Sequence, residues 1–170
     1  VPPAASRACH RTQSNNSIAM PEITWHWQRF EELGVKNLYD ALQLRSKVFI
    51  IEQGPYLDPD GADDRSWHLL GRDEKGELHA YLRAVDPGVK YAEPSIGRVV
   101  TSLAVRGKGV GRRLMEKGLE CCQGAWPGNG IRISAQARLV PFYRSLGFDP
   151  VGEEYLEDGI PHIEMLRSAR

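Results

Sequence analysis

Between an apolar stretch, Ile96 to Thr101, and a run with Val110, Leu114, Met115, Leu119 and Cys122 on one helical side lies Arg106-Gly107-Lys108-Gly109-Val110-Gly111. A strand, a glycine-rich turn and an amphipathic helix in that order constrain the chain more than any other feature. The alternating glycines let the backbone turn sharply and aim several N–H groups at one point. The helix N-terminus adds donors that have no intrahelical acceptor, together with a partial positive charge. Such a turn is an anion site suited to a phosphate or pyrophosphate. Arg106, Lys108, Arg112 and Arg113 add positive charge around it.

Two common phosphate loops are excluded. A Walker loop requires Gly-Lys-Ser/Thr, whereas Gly111 is followed by Arg112 and Arg113, with no hydroxyl for magnesium. A dinucleotide fingerprint requires a third glycine where Leu114 stands, on the first strand of a parallel unit.

The anion site is local. The chain carries 22 basic and 22 acidic residues, so no overall field favours a nucleic acid or an anionic membrane. The longest apolar run is Val48 to Ile51, too short for a membrane span. Cys9, Cys121 and Cys122 fit neither a disulfide framework nor a zinc pattern, so a reducing, cytoplasmic setting is expected. Residues 1–19 hold two Arg, no acid and almost no large apolar side chain. They read as a disordered tail, an expression scar or upstream extension, with residues 20–170 as a single domain.

Alternation of Ile23, Trp25 and Trp27 with polar neighbours predicts a strand. After Gly34, apolar spacing predicts a helix from Val35 to about Phe49, then a polar loop over 53–65. Residues 67–70 and 78–85 read as an antiparallel pair, followed by strands at 96–101 and 131–135. A short helix over 141–146 is closed by Gly147. Two last strands, 151–156 and 162–166, flank a tight Asp158-Gly159 turn. The expected fold class is α/β (α+β), with a single mixed, largely antiparallel sheet flanked by helices.

Arg106-x-x-Gly109-x-Gly111 resembles the acyl-CoA-binding motif of the GCN5-related N-acetyltransferase (GNAT) family. Pro141-Phe142-Tyr143-Arg144-Ser145-Leu146-Gly147-Phe148 resembles that family's second motif. Leu44-Arg45-x-x-Val48-Phe49-x-x-Glu52-Gln53, His68-Leu69-Leu70-Gly71 and Glu157-Asp158-Gly159-Ile160-Pro161-His162 are similar to its ElaA-like branch.

The resemblance implies the acyl-CoA N-acyltransferase fold, with a splayed sheet and acetyl-CoA as cosubstrate. The coenzyme A pyrophosphate would lie on the backbone of Arg106, Gly107, Lys108, Gly109, Val110, Gly111 and Arg112. The pantetheine would run beside Val99, Val100 and Thr101. Gln136 stands where the wider family often has Asn, which moves the amide head of that contact.

Acyl transfer to an amine needs a neutral nucleophile, a polarised carbonyl and a protonated leaving thiolate. By resemblance Tyr143 occupies the acid position, and a phenol with pKa near 10 can protonate a departing sulfur. Its alternative is an aromatic core residue. Glu52 has two readings: a base raised by burial in the cleft, or a helix-end carboxylate bonded to backbone or to Arg45. His68 and His162 are the candidates for acceptor contact, with a packing role as the alternative for His68.

Asp58, Asp60, Asp63 and Asp64 resemble a calcium loop, but Leu69 replaces the twelfth-position ligand. A solvated loop or an acidic rim for an amine is expected there, and no metal is implied. The acceptor is a small-molecule or peptide amine, with no nucleic acid and no membrane, in a monomer or homodimer. An acyl-CoA sensor without turnover and an acyl-homoserine-lactone-synthase-like enzyme are the competing readings.

Overall fold

A computed structural model describes residues 20–54 and 57–169. The expected tail and Cys9 lie outside the described residues. The elements run β1 (Thr24–Arg29), α1 (Phe30–Arg45), β2 (Ser66–Arg72), β3 (Leu78–Val85), β4 (Ser95–Thr101) and α2 (Val110–Ala125). They continue through β5 (Ile131–Gln136), α3 (Val140–Arg144), β6 (Asp149–Pro150), β7 (Tyr155–Glu157) and β8 (Ile160–Arg167).

One sheet has the order β1-β2-β3-β4-β5-β8-β6, with β7 added beside β8. Every pairing is antiparallel except β4 with β5, which touch only at Ser95 and Arg132. The sheet therefore joins there and splays toward Thr101 and Gln136. This is the mixed, splayed sheet that the sequence motifs imply.

Both faces of β3 are covered, so all eight of its residues are buried. Ala80, Leu82 and Ala84 join the core under α2 and α3, with Leu114, Met115, Ile133 and Phe148. Tyr81, on the opposite face, packs with Leu33, Leu44 and Val48 under α1. Gly118 of α2 lies against Leu82 so closely that an added Cβ would stand 2.6 Å from a Leu82 methyl carbon. Trp27 stacks on Trp67 at 5.1 Å, as strand-face residues do.

Two segments depart from the sequence pattern. α1 begins at Phe30, earlier than the spacing predicts, but Gly34 breaks it with φ 69° and ψ 163°. Regular helix resumes at Val35 and widens into a π-helical turn over Ser46–Glu52. The strand expected over 151–156 forms only at its end, as β7; residues 151–154, with Gly152 at a positive φ of 99°, separate it from the two-residue β6. The Asp158-Gly159 turn forms as expected. Both residues have positive φ, 51° and 76°, as a two-residue mirror-image hairpin requires.

β4 carries a bulge. Tyr81 pairs with Val100 and Arg83 with Gly97, so one extra residue sits on β4. Arg98 occupies it with φ 53°, a conformation a non-glycine residue holds only when fixed from outside. Its guanidinium supplies that fixture, donating to Asp58 Oδ1 and to the Asp58 carbonyl, both at 2.8 Å.

Candidate functional site

The splay between β4 and β5 opens a cleft of about 470 Å³. Val99, Val100, Thr101, Arg106, Gly111, Gln136, Tyr143, Glu52 and His162 all line it. One wall is β4 with the glycine-rich turn. The facing wall is β5, β7 and β8, with α3 between them.

On the first wall the backbone is open and the side chains are occupied. Gly107 and Gly109 have φ of 73° and 75°, which turns the chain into α2 with Gly109 as its N-cap. The amides of Gly109, Val110, Gly111 and Arg112 meet no acceptor among the described residues. They are the unfilled donors of a helix N-terminus. Val110 packs its side chain in the core. Lys108 Nζ donates to the Ala104 carbonyl at 2.9 Å, and Arg112 donates to Ser145 Oγ at 2.6 Å. The Arg112 guanidinium also lies 5.6 Å from the centre of the Phe142 ring.

Arg106 is held by Glu52, through bonds of 2.7 and 3.0 Å to both carboxylate oxygens, and by the Thr101 carbonyl. This corrects the basis on which Glu52 was expected to act. Its carboxylate lies at the cleft, but it is one-third exposed and neutralised by a guanidinium rather than buried among apolar groups. It bonds Arg106, not Arg45.

Tyr143 projects from α3 into the cleft. Pro141 opens that helix, and Gly147 ends it with φ 87°. The Tyr143 carbonyl accepts from the amides of Leu146 and Phe148, which locks the turn. Phe142 and Phe148 meet the Tyr143 ring edge-on at 5.1 and 6.0 Å. Burial pushes the phenol up to about 12, so it keeps its proton at neutral pH. Its hydroxyl has no hydrogen-bond partner among the described residues and remains available to a ligand.

On the facing wall, Gln136 donates to Gln53 Oε1 at 3.2 Å and accepts from Arg138 Nε at 3.0 Å. His162 pairs with Gln136 on β5 and with Tyr155 on β7. Ser134, Glu157 and Tyr91 complete this side. The Tyr91 phenol is pushed up to about 12 by burial and by the nearby carboxylates Glu164 and Glu157.

His68 is corrected as an acceptor contact. It is 1 % exposed and does not line the cleft. Its Nε2 lies 2.9 Å from the Asp63 carbonyl and must carry the proton. Its Nδ1 then accepts from the Tyr81 hydroxyl at 2.7 Å. Burial holds the ring below its ordinary pKa, so it stays neutral.

The aspartate loop is also different from either expectation. Asp58 is buried against Arg45 and Arg98, Asp60 binds Arg83 through both oxygens, and Asp63 lies between Arg45 and Arg83. Asp64 alone of the four points outward, 3.8 Å from Arg65. The loop is a neutral scaffold that clamps the β4 bulge. Arg45, Arg83 and Arg98 were missed in the sequence because they are far apart in it and nothing local pairs them with Asp58, Asp60 and Asp63.

Asp73, Glu77 and His79 come close enough to hold a metal ion, but they sit on the β2–β3 hairpin outside the cleft. His79 there is bonded to Ser102 Oγ and Asp73 Oδ2 at 2.7 and 3.0 Å. Cys122 is buried in the core and Cys121 half-buried.

A family model described as an acetyltransferase (GNAT) domain matches residues 62–168. Protein ElaA of Escherichia coli is 47 % identical over 148 residues, covering 85 % of this chain and 96 % of that protein. Its crystal structure aligns with a TM-score of 0.80 and 46 % identity, over 86 % of this chain and all of that one (100 %). A crystal structure of an acyl-CoA N-acyltransferase from Pseudomonas aeruginosa aligns at 0.83 and 43 % identity, with 86 % and 100 % coverage. A UPF0039 protein of Synechocystis sp. is 45 % identical over 146 residues, covering 85 % of this chain and 95 % of that protein.

Proposed function

The chain belongs to the GNAT acetyltransferase family, and from that premise we propose that it transfers an acetyl group from acetyl-CoA to a primary amine by direct attack. The observation that carries the reading is a protonated, unpartnered Tyr143 in the same cleft as a helix N-terminus with open amides.

The residues fit acetyl-CoA as substrate. The amides of Gly109, Val110, Gly111 and Arg112 would hold the pyrophosphate, because they are pre-aimed donors at a helix N-terminus. Arg106 flanks this cradle: its amide is bonded to the Leu103 carbonyl, and Glu52 holds its guanidinium in place. On the β5 side Val99, Val100 and Thr101 have no partner strand, so backbone groups facing that side, apart from the Thr101 carbonyl held by Arg106, would be open to the amide-rich pantetheine.

Tyr143 is the general acid. A thiol has a pKa near 8.5, well below a phenol pushed up to about 12, so the protonation state of Tyr143 at neutral pH is the donating one. The acceptor enters against β5, β7 and β8, where Tyr91 and Glu157 favour a cationic amine. The proposed chemistry uses no metal. No helix among the described residues is long and apolar enough to cross a membrane, and we take the cytoplasm as the site of action.

The test pairs acetyl-CoA binding by calorimetry with a thiol-release assay against a panel of primary amines. Saturable, amine-dependent thiol release is the expected result. Binding without release on any amine would leave a sensor, and absence of binding would remove both readings.

A further inference from the structure

Both carboxylate oxygens of Glu52 are occupied by Arg106, so another group in the cleft is better placed to meet the acceptor nitrogen. We propose that His162 is the general base of the transfer and that Glu157 positions it. This inference rests on the acyltransferase reading.

The two-residue Asp158-Gly159 turn pairs Glu157 with Ile160 and Tyr155 with His162. That register brings both side chains to the cleft. His162 Nδ1 lies 2.8 Å from the Ile160 carbonyl oxygen, which only accepts. Nδ1 therefore carries the hydrogen, and in the neutral ring Nε2 holds the lone pair. Nε2 is 3.9 Å from Glu157 Oε2, and 12 % of the side chain remains exposed. A base needs this arrangement: a fixed tautomer, access, and an anion beside the nitrogen that takes the charge.

Glu157 is itself oriented. Ser134 Oγ donates to Glu157 Oε2 at 3.0 Å. Serine has one hydroxyl proton, so the contact between Ser134 and Tyr155 must have the Tyr155 hydroxyl as donor. The neighbouring carboxylates Glu93 and Glu164 are both consumed by Arg132, at 2.9 and 2.8 Å. Glu157 has no guanidinium or ammonium partner among the described residues, which leaves its charge for His162.

The groups facing the His162 ring come from three strands and a turn: Tyr155 and Glu157 on β7, Asp158 in the turn, Ser134 and Gln136 on β5, and Glu164 on β8 itself. Arg138, which also lines the cleft, donates to Gln136 Oε1.

In the step, the acceptor ammonium gives one proton to His162 Nε2. The freed lone pair forms the C–N bond at the thioester carbonyl carbon. The C–S bond breaks and its electron pair leaves on sulfur. Sulfur takes a proton from the Tyr143 hydroxyl, which is restored by the second proton of the attacking nitrogen. The imidazolium returns its proton to water, giving the amide, coenzyme A thiol and one released proton.

The experiment measures kcat/KM with acetyl-CoA and two kinds of acceptor: propylamine and 1,4-diaminobutane, which are ammonium ions at neutral pH, and hydroxylamine, which is already neutral. His162→Gln should lose about 10²-fold with the aliphatic amines, and at least tenfold less with hydroxylamine, at unchanged coenzyme A affinity. Glu157→Gln should lower kcat with the aliphatic amines about tenfold while leaving KM and the hydroxylamine rate close to wild type; a purely structural role would lower the rate with both kinds of acceptor alike. Nitrogen NMR of the wild-type ring should show the Nδ1–H tautomer. Equal losses with both kinds of amine in either variant, or the Nε2–H tautomer, overturns the assignment while transfer itself stands. A wild-type protein that acetylates no amine overturns the acyltransferase reading and this inference with it.

Discussion

The two walls of the cleft use opposite parts of the polypeptide. On the β4 wall, Arg106, Lys108 and Arg112 are tied to Glu52, Ala104 and Ser145, and the backbone amides of the turn are what remain open. On the β5–β8 wall the backbone is consumed by strand pairing, and the side chains of Glu157 and His162 are what face the cleft. A backbone cradle suits the part of the substrate that never changes, since an amide donor needs no particular side chain. A side-chain wall suits the part that varies between enzymes. The same contrast holds for charge. The aspartates that look like a site in sequence are spent on Arg45, Arg83 and Arg98, whereas Glu157, one carboxylate in a short hairpin, is free to act.

The comparison breaks most severely if the Asp58 loop is not scaffold. Asp58→Ala removes the shared partner of buried Arg45 and of the bulge residue Arg98. Urea unfolding should show a loss of about 3–5 kcal/mol, the cost of an uncompensated buried charge. An exposed rim aspartate would cost almost nothing.

A milder form of the same test is acid. Arg83 holds the Asp60 carboxyl below the ordinary carboxylate range. For Asp63, burial raises the value, but Arg45 and Arg83 outweigh it and the net shift is downward. Folded-state values below the unfolded ones mean that the unfolded chain binds more protons as pH falls. The stabilisation is therefore present above about pH 4 and is lost as pH drops further. A series of urea midpoints from pH 6 to pH 3 should fall, and the slope should flatten in Asp60→Asn.

Two substitutions sharpen the division on the β4 wall. A Cβ at Gly111 meets no atom within 4 Å in the free protein but would project where the anion is proposed to lie. Gly111→Val should leave the melting temperature close to wild type and weaken coenzyme A binding about tenfold or more, about 1.4 kcal/mol. Arg112→Glu should weaken it less, by a few-fold, because that side chain is engaged with Ser145 and contributes only at a distance. Calorimetry that ranks the two in reverse would give the side chains the leading part.

Legibility followed sequence separation. The turn from Arg106 to Arg112, the Tyr143 helix and the Asp158-Gly159 hairpin are each local, and glycine and proline chemistry marks them directly. The mixed sheet followed from strand spacing and the family motifs. What sequence did not reveal is pairing across distance. Glu52 finds Arg106, His68 finds Tyr81 and the Asp63 carbonyl, and Asp60 finds Arg83 only after the sheet has formed. The break before β7 was hidden because Val151 and Leu156 have strand-like side chains, while Gly152 takes a positive φ between them. The Arg98 bulge left no local mark, since its support comes from Asp58, forty residues away (|i−j| = 40).

The central claim is that this cleft catalyses transfer and that Tyr143 protonates the leaving thiolate. Amine-dependent thiol release from acetyl-CoA, measured side by side for the wild type and Tyr143→Phe with coenzyme A affinity determined for both, tests it most directly. The account predicts turnover in the wild type, a loss of about 10²-fold or more in kcat for the variant, and equal affinities. Equal turnover in the two proteins would contradict it.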